Sequence, residues 1–275
     1  MDILNIDSTR CARDGICEAT CPKGVIKMTD NVSYPSQIEG AENFCLECGH
    51  CVVICPNGAL SLKTMKPGDC TTINKDLLPN AEQCRHFLFS RRSIRRYKQR
   101  PVDREILTDI IDTARYAPSV QNKQLVNWIV IEDTTELIRL SAMVIDWMRT
   151  CLQKKPGLAE SFHMDHVVDA WERGENRICR NAPHAIVAHS HKKNSAIAET
   201  SSTIAFTYLQ LAAFSMDIGT CWSGYLKLAF NFYPPILKSL NLPEGHQCFA
   251  AMLIGYPKYK EYRIPLRKKA KITWI

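Results

Sequence analysis

Apolar positions along the chain follow two different rhythms, and the change falls near residue 66. Before it they come in short bursts. Val25-Ile26-Lys27-Met28, closed by Asp30-Asn31, and Ala59-Leu60-Ser61-Leu62 each read as a short strand with a turn. Beyond it the pattern lengthens. Residues 74–89, with Leu77, Leu78, Phe87, Leu88 and Phe89, read as an opening helix. Asp103 is placed to cap a second, in which Ile106, Leu107, Ile110, Ile111 and Ala114 recur at helical spacing before Ala117-Pro118 ends it. A polar loop, residues 119–124, leads into the apolar strand 128–131, and residues 136–149 predict another helix. Residues 185–188 and 250–257 read as buried strands. Between them, residues 197–216 form a long helix so rich in Ala and Leu that it must be buried in a core or a subunit interface.

The run Lys66-Pro67-Gly68-Asp69-Cys70-Thr71-Thr72 is polar and rich in breakers, which marks a domain boundary. Charge divides at the same place. Residues 1–66 carry a net −2 while the whole chain carries +7, so the body holds +9. A length of 275 residues with 45% hydrophobic and 23% charged positions suits a globular protein of one large or two unequal domains. No apolar run approaches the ~20 residues of a membrane span, and the first residues lack a basic-then-apolar leader, so a cytoplasmic location is expected.

Seven of the thirteen cysteines lie between residues 11 and 55. Without a leader they are better read as metal ligands than as disulfides. Cys45, Cys48, Cys51 and Cys55-Pro56 form a complete C-x2-C-x2-C-x3-C-P run. Two-residue gaps let three thiolates converge on one iron–sulfur cube, while the fourth cysteine, set apart before proline, serves the other cluster. Crossing the ligands gives one set of Cys45, Cys48, Cys51 and Cys21, and another of Cys11, Cys17 and Cys55. Zinc is the competing reading, since C-x2-C pairs also build zinc sites, but zinc has no use for two matched runs each closed by Cys-Pro.

The second set is one cysteine short, and Asp14 stands in register at the missing position. Its oxygen is a harder donor than a thiolate. Asp14 either ligates the fourth iron, or leaves a [3Fe–4S] cluster, or merely starts the Asp14-Gly15 turn. His50, beside a complete cysteine set, reads as a neighbour of the cluster or an exposed residue. The repeat of cysteine run and strand makes residues 1–65 resemble the bacterial-type two-[4Fe–4S] ferredoxin domain.

Six of the ten residues from Arg91 are basic and none is acidic. The run lacks the interleaved aromatics of a nucleic-acid patch. It reads instead as a solvated face or as a phosphate clamp, in which arginines fork onto phosphate oxygens beside the Ser93 hydroxyl.

Four motifs in order, Arg-Arg-Ser-Ile-Arg-Arg-Tyr, Ala-Pro-Ser-x-x-Asn-x-Gln, Gly-Thr-Cys-Trp-Ser-Gly and Arg263-Ile264-Pro265, are similar to those of the nitroreductase family of FMN enzymes, over about residues 85–275. The resemblance implies that Arg91, Ser93 and Arg95 hold the FMN phosphate, with Arg92 alongside and Arg263 closing from the tail. It implies that Asn122 sits near the reactive edge of the flavin, in a loop shaped by Pro118, Ser119 and Gln124. Ser223 and Gly224 fall where the family presents backbone donors to the isoalloxazine. The sequence departs from the family at Gln124-Leu125-Val126-Asn127-Trp128, where Gln-Pro-Trp is common, and at Ser223, where some members have glutamate.

An α+β protein is therefore expected: a two-cluster ferredoxin-like module at 1–66, a linker and first helix at 67–84, and an FMN-binding nitroreductase-type sandwich at 85–275. By resemblance it forms a homodimer with FMN at the subunit interface, carries two [4Fe–4S] clusters, and passes electrons from the clusters through FMN to a nitroaromatic, quinone or activated alkene. The different reading is an electron-transfer adaptor whose acceptor is another protein. Ferredoxin or NAD(P)H is the expected donor, although no G-x-G-x-x-G nicotinamide fingerprint is present. Neither nucleic acid nor membrane is an expected partner. No hydrolytic triad stands out. His163, His166, His184 and His189 read as structural or surface residues, the first two as candidate proton donors within the segment that covers the active site in the family.

Overall fold

A computed structural model describes residues 2–30 and 32–275. The chain divides into two compact units. The first comprises residues up to Pro79 together with Gln121–Lys123; the second comprises Asn80–Val120 and Gln124–Ile275.

The first unit is built twice over. Strand β1 (Leu4–Ile6), helix α1 (Ile16–Ala19) and strand β2 (Ile26–Lys27) precede β3 (Ser36–Gln37), α2 (His50–Val53) and β4 (Leu60–Leu62). β1 pairs antiparallel with β4, and β2 with β3. Each short helix starts from a glycine in the left-handed region, Gly15 at φ 72° and Gly49 at φ 74°, a conformation costly for any residue with a Cβ. The core is small: Val25, Ile26, Ala41, Val52, Leu60 and Leu62 are its buried residues, together with Cys17 and Cys51. A core of this size leaves stability dependent on a staple.

The second unit is a four-stranded antiparallel sheet with helices on both faces. β5 (Asn127–Ile131), β6 (His184–His191), β7 (Gly219–Trp222) and β8 (His246–Gly255) lie in the order β5-β6-β8-β7. The strands β6 and β8 are buried nearly throughout, which is why they read as unbroken apolar runs rather than as alternation. One face presents Ala185, Val187, Ala251 and Leu253 to α5 (Thr134–Lys154), α7 (Met164–Glu172), α9 (Gly224–Phe232) and α10 (Pro234–Lys238), with α6 (Pro156–Ser161) at the edge. The other presents Ile186, Ala188, Ala250, Met252 and Ile254 to α4 (Arg104–Ala114) and α8 (Ser195–Ser215). The α+β layering expected from the sequence is thus observed.

Some boundaries differ from expectation. The opening helix, α3, spans Ala81–Ser90 and not residues 74–89, because Pro79 interrupts the chain and Asn80 with Gln83 forms a reciprocal N-terminal cap. Asp103 does precede α4, but its side chain makes no capping bond. Asp133 caps α5 by accepting from Thr135 N–H and starts it earlier than the periodicity suggested. Among the described residues no helix is long and apolar enough to cross a membrane.

Candidate functional site

In the first unit the cysteines fall into two neighbourhoods. Cys21, Cys45, Cys48 and Cys51 line one small cavity with Leu4, Val25, Ile26 and Leu62. Burial pushes the Cys51 thiol up to about 11, and the neighbouring Cys48, Cys45 and Cys21 push the same way. This is the first set expected from the spacing, and Cys21 reaches it from the other cysteine run. A buried thiol crowded by three others is one that bound iron, by supplying positive charge, makes favourable as a thiolate. Backbone N–H groups already aim at sulfur: Glu47 N lies 3.4 Å from Cys45 Sγ and Ala59 N 3.3 Å from Cys55 Sγ.

Cys17 stands in the second neighbourhood. Burial raises its thiol above the ordinary value, and Cys11 and Asp14 add to the shift. Asp14 therefore lies beside the incomplete cysteine set, while its Oδ1 also accepts the N–H of Ile16 at 3.2 Å, which starts α1. The bond to Ile16 N–H is the turn role expected of Asp14. His50 is exposed, at the edge of the first cavity.

Asn122, expected beside a flavin, belongs to the first unit. Its amide donates to the carbonyls of Leu46 and Glu47, both at 3.1 Å, within the second cysteine run. Both Gln121 and Asn122 adopt the left-handed conformation.

In the second unit the basic run lies along the sheet edge. Ser93 pairs with Thr220, and Ile94 N–H donates to Thr220 O at 2.8 Å. Tyr97 pairs with Pro257, and its buried hydroxyl donates to Ile94 O at 2.7 Å. Gly219 permits this approach, since a Cβ there would meet Ile94 at 2.6 Å. Arg91 and Arg92 thereby line a cleft of about 580 Å³ with Lys98, Tyr256, Lys258 and Lys260. Burial holds the Arg91 guanidinium below its ordinary pKa, and Arg92 and Arg267 act in the same direction. Arg91 forms no ion pair with a described residue. An anion with several oxygens fits this concentration of donors. Arg263, expected to close over a phosphate, is exposed and outside the cleft; the tail residues whose charges reach Arg91 are Arg267 and, in the opposite direction, Glu261.

The remaining expected residues occupy other clefts. Arg95 is exposed and bears on Arg180. Pro118, Ser119 and Gln124 line a smaller cavity of about 140 Å³ with Trp128 and Ser201, and Ser119 Oγ accepts Gln124 N–H at 3.0 Å. Ser223 and Gly224 line a third. Here one expectation is corrected. Ser223 is buried, its N–H is taken by Ala251 O at 2.8 Å and its hydroxyl by Ile178 O at 3.3 Å, so it has no donor left to offer. Gly224 is exposed at the start of α9, ahead of the first intrahelical bond, from Lys227 N–H to Ser223 O.

His184 is structural, as expected: its Nε2 accepts Val102 N–H at 2.8 Å and its Nδ1 faces Glu132 O at 2.8 Å. His163 and His166 are exposed on the wall of an outer cleft shared with Arg177, Arg180 and Tyr225. Sequence reasoning misses Arg177 and Arg180, because a single arginine outside a run carries no pattern, and Arg267, which opens the basic stretch Arg267-Lys268-Lys269 with no motif of its own.

A family model described as the nitroreductase family matches residues 88–256, and one described as a 4Fe-4S dicluster domain matches residues 9–60. An NADH dehydrogenase of Thermus thermophilus is 28% identical over 190 residues, which cover 65% of this chain and 90% of that protein. Two solved structures share the fold, both nitroreductases with bound FMN. That from Desulfitobacterium hafniense has a TM-score of 0.57 at 24% identity, with 74% of this chain and 100% of the other covered. That from Bacteroides fragilis has a TM-score of 0.57 at 21% identity, with 69% and 97% covered.

Proposed function

The chain belongs to the nitroreductase family, with a 4Fe-4S dicluster domain ahead of it, and from that premise we propose that electrons enter through two iron–sulfur clusters, pass to FMN and leave in pairs to a small organic acceptor. The family makes it a flavin-dependent oxidoreductase. One observation carries the finer reading: a single chain holds both a crowded set of thiols and a cleft in which Arg91, Arg92, Lys98, Lys258 and Lys260 outnumber Asp217 and Glu261, with no ion pair to Arg91 or Arg92 among the described residues.

In this reading Cys21, Cys45, Cys48 and Cys51 hold one [4Fe–4S] cluster, and Cys11, Cys17 and Cys55 hold a second with Asp14 as its fourth ligand. Arg91 and Arg92, with Ser93 and Arg267, hold the FMN phosphate. Bound FMN supplies the exchange between one-electron and two-electron chemistry. The N–H of Gly224 is the donor offered to the flavin ring, since Ser223 has none to give. A quinone takes two electrons and two protons to become a hydroquinone; a nitro group takes the same and yields a nitroso group and water. His163 and His166, exposed on the outer cleft, are placed to pass protons inward through their imidazole nitrogens.

We place the site at the interface of a homodimer. Within one chain the Pro118–Ser119 loop lines a different cavity from the arginines, and Leu88, Phe89 and Tyr208 are exposed apolar side chains on α3 and α8. Anaerobic reconstitution tests the reading. Bound flavin, about four to eight irons per chain, and steady reduction of menadione or 4-nitrobenzamide by reduced ferredoxin or NAD(P)H are the expected results. Full cofactor content without turnover of any small acceptor overturns it in favour of an adaptor.

A further inference from the structure

Two neighbouring clefts of the second unit share Arg177, Arg180 and Tyr225. The inner one, about 260 Å³, is walled by Trp222, Ser223 and Gly224. The outer one, about 470 Å³, opens past His163 and His166. Among the described residues no aspartate or glutamate lines either. Their combined size is that of a small-ligand site.

Arg180 stands at the waist between them, and the chain takes a strained path to put it there. Arg180 at φ 55° and Asn181 at φ 53° are consecutive left-handed residues, neither of them glycine. The turn is held from both sides. Asn176 Oδ1 accepts the N–H groups of Ile178 and Cys179, each at 3.0 Å, and its amide donates to Ser141 Oγ at 3.0 Å. Gln99 Nε2 donates to Asn181 O at 3.4 Å. Strain that the surroundings hold in place at a cleft-lining residue points to function.

The charge on Arg180 is uncompensated. Arg177 pairs with Glu175 at 3.1 Å. Arg180 is half-buried and makes no ion pair or hydrogen bond with a described residue. Burial lowers its pKa first; Arg95 and Arg96 lower it further, while Cys221 and Tyr97 oppose them. A guanidinium withdrawn from water among like charges is unfavourable until an anion joins it.

We propose that Arg180, backed by Arg177, binds a carboxylate on the acceptor, so that the preferred substrates are one-ring nitroaromatics or quinones bearing an anionic substituent. This rests on the reading above, in which the acceptor is reduced beside Gly224. An anion at the waist has two sources, the acceptor and the flavin. The acceptor is favoured because Arg180 lines the outer cleft as well as the inner one.

The test uses the holoprotein and 4-nitrobenzoate, with 4-nitrobenzamide as its uncharged counterpart. Calorimetric titration of the oxidised protein reads binding without turnover. The parent protein binds the benzoate about tenfold more tightly than the amide, Arg180→Gln loses that preference, and Arg180→Lys keeps most of it. In steady state the loss falls on KM for the benzoate. Equal affinity of the parent for the two compounds overturns the proposal. So does an Arg180→Gln protein that retains less flavin after gel filtration, because the guanidinium then serves the flavin. Failure to turn over any acceptor, with benzoate binding still dependent on Arg180, overturns the proposed function and leaves the carboxylate site standing.

Discussion

Nδ1 of His189 lies 3.0 Å from Nδ1 of His246, on the neighbouring strands β6 and β8. Two nitrogens at this distance share one proton, so one imidazole donates and the other accepts. Burial, and then the neighbouring His246, hold His189 below the ordinary histidine pKa. His184 is lowered too, chiefly by burial, and its Nε2 must stay bare to accept from Val102.

The sign follows from proton counting. Below about pH 6.5 the unfolded chain takes up protons at these positions and the folded chain resists, so stability falls with pH. Urea unfolding followed by the helical circular dichroism signal should show a lower midpoint at pH 5.5 than at pH 7.5. His189→Asn should flatten that dependence; an unchanged slope would place the acid sensitivity elsewhere.

Asp14 offers a second test. Its carboxylate both starts α1 and stands beside Cys17. In aerobically isolated protein, Asp14→Cys should remove any three-iron signal from the electron paramagnetic resonance spectrum, and Asp14→Ala should strengthen it. Identical spectra in all three proteins would leave Asp14 a turn residue alone.

Gly219→Ala places a Cβ within 2.6 Å of Ile94. Overpacking of this kind costs about 1–3 kcal/mol, or a fall in melting temperature of about 2–4 °C per kcal/mol for a unit of this size. The displaced segment carries Arg91 and Ser93, so flavin retention should drop along with stability.

Arg91→Met should discriminate between parts of the cofactor. Affinity for FMN should fall by about tenfold or more, while affinity for riboflavin, which lacks the phosphate, should change little. Equal losses for both would move the phosphate away from the cleft. Arg267→Met should reproduce a smaller share of the effect, and Arg263→Met less still.

The cysteine module was legible because metal chemistry imposes spacing directly on sequence: three thiolates on one cube require short gaps whatever surrounds them. The central strands were legible for a related reason. Ala185, Ile186, Val187 and Ala188 face cores on both sides of the sheet, and a doubly buried strand can only be apolar. Helix α3 was misplaced because Leu77 and Leu78 supply helical periodicity that Pro79 then interrupts. Ser223 illustrates another limit: whether a backbone N–H is free depends on a strand partner, Ala251, that lies far along the chain. Arg180 is invisible for the same reason, since its proposed role comes from a turn held by Asn176 and Gln99 and from the lack of an ion pair with any described residue. In the tail, Arg263 and Arg267 sit only four residues apart in irregular structure, where no periodicity separates them.

Cys21 belongs to the first cysteine run yet stands among Cys45, Cys48 and Cys51 of the second. A fragment carrying only one run would bring three ligands to a place that needs four. In the proposed ligation the two halves of the module are therefore indivisible: deleting either disables its twin. Under that ligation the two glycine-led helices are complements and not spare copies of one another.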